Sequence, residues 1–180
     1  MRDRREPLKE VLARAHSALL RVVDDVPCDA WSTSAISGRW SPAEVIAHLI
    51  QVERGVLAKA ERIIQHEPRR VPLLKRLHLP MALVEARVGR RQSPVPLAQE
   101  LLGTKEEMLG ELRTTRERTQ AFLEETRHRN LATYYWQHPA LGMLNVYGWM
   151  RFLGAHEVRH AKQMREIVHG LPKLIGNLQK

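Results

Sequence analysis

The apolar residues of this 180-residue chain recur three or four positions apart along four long stretches, which is the spacing of one face of an α-helix. Runs of β-branched residues with alternating polarity, the usual signal of strands, are nearly absent. We predict four helices, near residues 4–26, 42–66, 97–128 and 145–169. Gly170 and Pro172 are expected to end the last one. The pattern therefore predicts an all-α fold in which amphipathic helices bury their stripes against one another.

Length and composition fit one helical domain over residues 1–180. Hydrophobic residues make up 43% of the chain, but it has only two Phe and three Tyr, as in an aliphatic helical core. A connection from Glu67 to Pro96 carries five prolines and joins the second and third predicted helices. A connection this long favours a four-helix bundle with a crossover over a simple up-down-up-down one.

Part of this crossover has the pattern of a short extra helix. Residues Leu77 to Val88 fit one, and we expect it to lie over the bundle with Met81, Leu83 and Val84 turned inward.

Two histidines four residues apart in the last predicted helix can bind one metal ion. His156 and His160 lie one turn apart on the same helix face, inside its apolar stripe. The segment also matches HExxH, in which Glu157 would be the general base of a zinc protease. A protease of that class needs a substrate-binding sheet and a third ligand, and Glu166 is the one carboxylate that follows His160. The chain therefore favours a different metal site.

The second predicted helix supplies a third histidine. Ser41, Pro42 and Glu44 form a strong helix start with a capping box. His48 lies at the inward edge of the stripe that follows. A single buried histidine is more often a hydrogen-bonded core residue than a ligand, and we interpret His16 in that way. Three inward histidines on two helices favour a metal, with their ring nitrogens about 2.0 to 2.2 Å from one point and no fourth protein ligand.

The order of these motifs resembles the DinB/YfiT-like superfamily of four-helix bundles. The motifs are W-S-P-A-E before His48, then H-P-x-L-G, then H-x-x-x-H-x-x-Q ending at Gln163. The resemblance implies a bundle with an up-down-down-up arrangement. It also implies a divalent metal (nickel, zinc or iron) on His48, His156 and His160. Many members have a further histidine directly before the second histidine of the pair in the last helix, where this chain has Arg159.

A site with three neutral imidazoles leaves coordination positions open, which is typical of catalytic metals. The resemblance implies a small-molecule substrate and either a hydrolase or a transferase that uses a low-molecular-weight thiol. For catalysis we propose Gln163, which can orient a bound ligand, and Glu53 as general base, with Glu157 as a second candidate. Trp40, Trp149, Phe152 and Tyr147 are candidates for the pocket wall. The alternative is a non-catalytic metal-binding or stress-response bundle.

Charge and cysteine content restrict the remaining classes. The net charge is +9 and the pI about 10.3, but the positive residues are dispersed, and those of the third helix, Arg116 among them, alternate with glutamates as on a solvated face. No nucleic-acid-binding motif is visible, so we do not expect nucleic acid as a partner. The basic crossover can still steer an anionic substrate or thiol. A lone Cys28, no membrane-length apolar run and no signal peptide favour a cytoplasmic protein without a membrane partner.

The third helix has more apolar positions than one core-facing band requires. Leu102, Leu109 and Phe122 widen its stripe. We therefore expect a homodimer, as the resemblance also implies, unless the crossover covers this surface within one chain.

Overall fold

The computed structural model describes residues 4–34, 39–68, 71–72, 80–86 and 96–178, and of residues 171–178 only the backbone. In these ranges the elements are α1 (Arg5–Asp24), α2 (Pro42–Ile63), α3 (Ala82–Glu85), α4 (Lys105–Glu125), β1 (Tyr135–His138), β2 (Gly142–Asn145) and α5 (Val146–Leu178). Single turns of 3₁₀-helix lie at Cys28–Ala30, Gln99–Leu101 and Leu131–Thr133. The predicted all-α class is confirmed.

Two capping boxes fix where α2 and α4 begin. Ser41 Oγ accepts the Glu44 N–H at 3.2 Å, and the Glu44 carboxylate accepts the Ser41 N–H at 2.7 Å, as predicted. Thr104 and Glu107 form the same box at the start of α4. The predicted start near residue 97 is therefore wrong. A Thr-x-x-Glu box follows the apolar residues near 97 and provides the stronger start signal.

Contacts at the helix ends give the directions of the four long helices. Arg5 donates to the carbonyl oxygens of Thr126 at 2.9 Å and Arg129 at 2.8 Å, so α1 begins where α4 ends. Arg129 also donates to the Ile64 carbonyl, so α2 and α4 end together and run parallel. The Arg5 guanidinium lies over the Tyr147 ring, so α1 and α5 begin together. The arrangement is up-down-down-up.

The parallel course of α2 and α4 makes a long crossover necessary. The 22 residues of α2 span about 33 Å, and the chain must return over a similar distance before α4 begins. One described turn of this crossover, α3, lies against α5. Met81 and Val84 pack on the core as predicted, but Leu83 is 47% exposed, so its inward orientation was wrong. The other residues predicted for this helix, 77–79 and 87–88, lie outside the described part of the chain.

The buried aliphatic residues form two clusters, one toward each end of the bundle. The first joins the start of α1 to the end of α2, the end of α4 and the start of α5; it includes Leu12, Val56, Leu123 and Met150. The second joins the opposite ends of the same helices and includes Leu19, Ile46, Leu112 and Met164. Between them, at the level of residues 16, 53, 116 and 157, lies a layer of buried polar side chains. This polar middle layer distinguishes the bundle from a continuous apolar core.

The apolar surplus that suggested a homodimer is mostly buried within the chain. Leu109 and Phe122 belong to the two core clusters, and only Leu102 of the three is exposed, at 38%. The homodimer stays a prediction, but this reason for it is wrong.

A β-hairpin between α4 and α5 was not predicted. Tyr135–His138 pairs antiparallel with Gly142–Asn145, and Gly142 has a positive φ of 94°, a conformation that glycine adopts without strain. Neither strand contains a β-branched residue, so the sequence lacked the usual strand signal.

The last helix is longer than predicted. The backbone of α5 stays helical from Val146 to Leu178, past Gly170 and Pro172, where we expected it to end. Proline fixes a φ angle that is compatible with a helix and removes one hydrogen bond, so it weakens a helix without always ending it. No helix within the described residues is long and apolar enough to span a membrane.

Candidate metal centre

Three buried histidines converge between α2 and α5. The Nε2 atom of His156 lies 3.2 Å from Nε2 of His48 and 3.1 Å from Nε2 of His160. Within the described residues they form a three-residue group whose ligand atoms all lie within 4.8 Å of one another. The antiparallel packing of α2 on α5 brings His48 opposite the i,i+4 pair. The prediction that these three side chains lie together is confirmed, and their binding of a metal stays a prediction.

The spacing and chemistry of these nitrogens fit a divalent metal. Two nitrogens bound to one ion at about 2.0–2.1 Å, with an angle between tetrahedral and octahedral, lie about 3 Å apart. Burial lowers the pKa of His48 to about 4. Burial, followed by the neighbouring His160 and His48, places the pKa of His156 well below its ordinary value. Both imidazoles are therefore neutral near pH 7, which is the form that binds a metal.

Gln163 orients one of the three rings. His160 Nδ1 lies 2.9 Å from the Gln163 side-chain oxygen, which can only accept a hydrogen bond. Nδ1 must therefore carry the hydrogen, and the lone pair of Nε2 is left facing His156. A hydrogen-bond acceptor behind a ligating histidine is a common feature of metal sites. This contact lies behind the His160 ring, and the catalytic role of Gln163 in orienting a bound ligand stays a prediction.

Replacing Gln163 with leucine is expected to weaken metal binding about 10- to 100-fold, the usual cost of losing such an acceptor. Gln163→Glu keeps an accepting oxygen at the same place and is expected to bind metal nearly as tightly as the unaltered chain. Competitive titration against a chromogenic chelator measures both affinities. Equal affinities for Gln163→Leu and the unaltered chain would contradict the role.

Aromatic side chains flank the three histidines on both sides. The Trp40 ring lies 4.8 Å from His48 and is stacked on His160 at 6.3 Å between centroids. On the other side, Phe152 stacks on His156 at 5.1 Å. Trp149 lies about one turn before Phe152 in α5 and packs against its ring. These three candidates for the pocket wall therefore lie beside the cluster or next to a residue that does.

Tyr147, the fourth candidate for the wall, lies elsewhere. It packs under the Arg5 guanidinium, 5.7 Å from ring centroid to Cζ, in the core cluster that includes the start of α1. Conversely, the sequence analysis assigned no role to Trp136 or His138. Trp136 stacks on Trp149 at 4.7 Å, and His138 packs against both Trp149 and Phe152. The H-P-x-L-G motif was the available signal for His138.

The two glutamates considered as general bases have other partners. Both Glu53 oxygens accept from the Arg116 guanidinium at 2.9 Å, and Thr119 donates to one of them at 2.7 Å. Glu157 accepts from Arg116 at 2.9 Å and lies 2.8 Å from His16 Nδ1. These contacts argue against the predicted catalytic role of Glu53 and against a protease in which Glu157 would activate water.

The assignment of Arg116 to a solvated face was wrong. Its side chain is 4% exposed, and it also donates to the Leu12 carbonyl at 3.1 Å. Burial opposes the charge of the guanidinium, but the Glu53 and Glu157 carboxylates outweigh burial and raise the pKa of Arg116 above its ordinary value. Two carboxylates face one guanidinium in this layer.

Comparison with known proteins supports the helical-bundle architecture, and the part of the chain that matches includes the histidine cluster. Residues 12–164 match the family profile of the DinB superfamily, and this range includes all three histidines and Gln163. The chain belongs to the DinB superfamily. The predicted resemblance is confirmed.

Two known proteins are similar to this chain, one in sequence and one in fold. The uncharacterized protein YuaE of Bacillus subtilis (strain 168) is 27% identical over 130 residues, which cover 71% of this chain and 76% of YuaE. The crystal structure of TT2238, a four-helix bundle protein, has a TM-score of 0.57 and 21% identity over 90% of this chain and 98% of that one. At this identity the likeness to TT2238 concerns the fold alone.

Proposed function

We propose that this DinB-superfamily chain is a metal-dependent enzyme that acts on a small molecule, either as a hydrolase or as a transferase using a low-molecular-weight thiol. The observation that carries the proposal is the cluster of three buried histidines, in which Nε2 of His156 lies 3.2 Å from Nε2 of His48 and 3.1 Å from Nε2 of His160. His48, His156 and His160 would hold the metal, which we propose to be nickel, zinc or iron.

The proposed chemistry depends on the charge and the open coordination positions that a metal on three histidines would keep. A divalent metal on three neutral imidazoles keeps its full charge and open positions, so it would lower the pKa of a bound water or thiol toward neutrality. The chain itself orients the ligands, through Gln163 behind His160, and excludes water with Trp40 and Phe152 on either side. A substrate would enter between aromatic faces, so its apolar part can pack while its polar end reaches the histidines.

Other parts of the proposal rest on the sequence and the family. We propose that one bundle domain extends over residues 1–180, that the protein is cytoplasmic, and that it associates as a homodimer. The basic crossover between α2 and α4 would attract an anionic substrate or thiol toward the bundle, since the chain carries a net charge of +9.

A second candidate function is a non-catalytic metal-binding or stress-response bundle. The contacts of Glu53 and Glu157 favour it, because Arg116, Thr119 and His16 occupy the two carboxylates that seemed best placed to act as bases. If this chain is an enzyme, it would therefore depend on a metal-bound nucleophile rather than on either of these carboxylates as a base.

An activity screen with matched variants separates the two functions. Purified protein loaded with nickel, zinc or iron is assayed on ester, amide and thiol-acceptor panels, each with and without a low-molecular-weight thiol. We expect metal-dependent turnover that His156→Ala removes and that His66→Ala, a change at an exposed histidine outside the cluster, leaves intact. Stoichiometric metal without turnover on any panel would favour the non-catalytic bundle. Absence of bound metal would contradict the enzyme and the metal-binding bundle and would favour a stress-response bundle without metal.

A further inference from the structure

His138, at the end of β1, has one ring nitrogen that the fold uses and one that it does not. Its Nδ1 accepts the backbone N–H groups of Ala140 at 3.0 Å and Leu141 at 3.1 Å. An accepting nitrogen carries no hydrogen, so the neutral ring must carry its hydrogen on Nε2. The hairpin turn therefore fixes the tautomer and makes Nε2 a hydrogen-bond donor.

This donor has no hydrogen-bond partner among the residues that the structure describes. The side chain is half-buried, so the ring is partly reachable from outside. Burial lowers the pKa of His138 to about 4, which keeps the ring neutral and the tautomer fixed near pH 7. The turn uses Nδ1 and the ring packs against Trp149 and Phe152, so Nε2 is the one hydrogen-bonding atom of this side chain that the described residues leave unused.

The His138 ring lies on the same face of α5 as the metal ligands. Its centroid is 4.5 Å from that of Phe152 and 5.0 Å from that of Trp149. Phe152 in turn stacks on His156, which follows one helical turn later, about 5.4 Å along the axis. The Phe152 ring thus lies between His138 and His156 and contacts both.

We propose that His138 binds the distal end of the substrate, donating its Nε2–H to a carboxylate or carbonyl oxygen while the other end of the molecule reaches the three-histidine site. The inference rests on the proposed function and specifies its substrate class. The substrate is a small molecule with two polar ends, joined by a short apolar part that lies across Phe152. A substrate with a second polar group can accept from this donor, whereas a substrate with a single polar group leaves it to water.

Matched carboxylates test this arrangement without any assay of turnover. Metal content is measured first; the Co²⁺-loaded protein is then titrated with butyrate, valerate, glutarate and adipate while the visible absorption of Co²⁺ is followed. Each dicarboxylate has a second oxygen acceptor that the monocarboxylate of similar length lacks. We expect at least one dicarboxylate to bind about tenfold more tightly than its monocarboxylate partner, the effect of one hydrogen bond to a charged group.

Two variants then test whether the difference in affinity between dicarboxylates and monocarboxylates comes from the Nε2 donor of His138. His138→Asn keeps an acceptor for the turn and removes the Nε2 donor, so it should abolish the preference and leave monocarboxylate and Co²⁺ binding unchanged. His138→Gln places a donor near the Nε2 position and should keep part of the preference.

The outcomes separate this inference from the proposed function. A chain without bound Co²⁺ would overturn both. A chain with stoichiometric Co²⁺ and no dicarboxylate preference would overturn only the role of His138, whether or not the variants fold. A preference that survives in His138→Asn would overturn it as well.

Discussion

Replacing His156 with alanine is expected to abolish tight binding of divalent metal. Its Nε2 atom is close to those of both other histidines, 3.2 Å from Nε2 of His48 and 3.1 Å from Nε2 of His160. Losing an acceptor behind a ligand costs about 10- to 100-fold in affinity, and losing the ligand itself costs more. We therefore expect a loss greater than 100-fold. The same change at His160 or His48 also leaves two ligands and should have a similar effect.

Elemental analysis after dialysis against a weak chelator measures this loss, and competitive titration gives the affinities. His66→Ala and His128→Ala are matched controls, since both remove an exposed histidine outside the cluster. Circular dichroism checks that each variant is folded. Metal at full stoichiometry in a folded His156→Ala chain would contradict the site. So would equal losses in the exposed-histidine controls, because the metal would then be bound nonspecifically at the surface.

The ligands could be predicted from sequence because each depends on local rules. The i,i+4 spacing fixes His156 and His160 relative to one another, and the capping box at Ser41 fixes the phase of α2, which turns His48 inward. Their meeting across two helices needed the antiparallel packing of α2 on α5, which the family resemblance implied. Helical phase, start signals and motif order were therefore enough to predict the histidine cluster.

The polar middle layer could not be predicted, since its signal is ambiguous. Arg116 alternates with glutamates along α4, as on a solvated helix, and periodicity cannot tell an exposed ion pair from a buried one. Glu53 and Glu157 lie on the same helices as the ligands, which made them attractive as bases. Only tertiary contacts show that Arg116 binds both.

The hairpin was not predicted because its sequence signal is also weak. Its strands, Tyr135–His138 and Gly142–Asn145, are four residues long and lack β-branched residues, so only the turn carried information. His138 also gets its fixed tautomer from that turn, and its place beside Phe152 depends on how the hairpin packs on α5. Sequence patterns describe neither relation.

The buried Arg116 provides the second large expected effect. Replacing it with methionine should lower the free energy of unfolding by about 3–5 kcal/mol, the usual cost of removing one partner from a buried ion pair. Methionine fills a similar volume, so the main change is that the Glu53 and Glu157 carboxylates lose their shared donor. Urea unfolding of the metal-free protein in a chelator measures the effect, because bound metal would stabilise the folded state by mass action.

Matched variants show whether the loss comes from unpaired charge. Arg113→Met removes an exposed arginine of the same helix and should change stability by no more than about 0.5 kcal/mol. Adding Glu53→Gln and Glu157→Gln to Arg116→Met removes the uncompensated carboxylates and should recover part of the lost stability. If Arg116→Met lowers the free energy of unfolding as little as Arg113→Met does, the polar middle layer does not stabilise the packing of the four helices. If the triple variant is less stable than Arg116→Met, the hydrogen bonds of the two carboxylates to Thr119 and His16, rather than the charge pairing, support the layer.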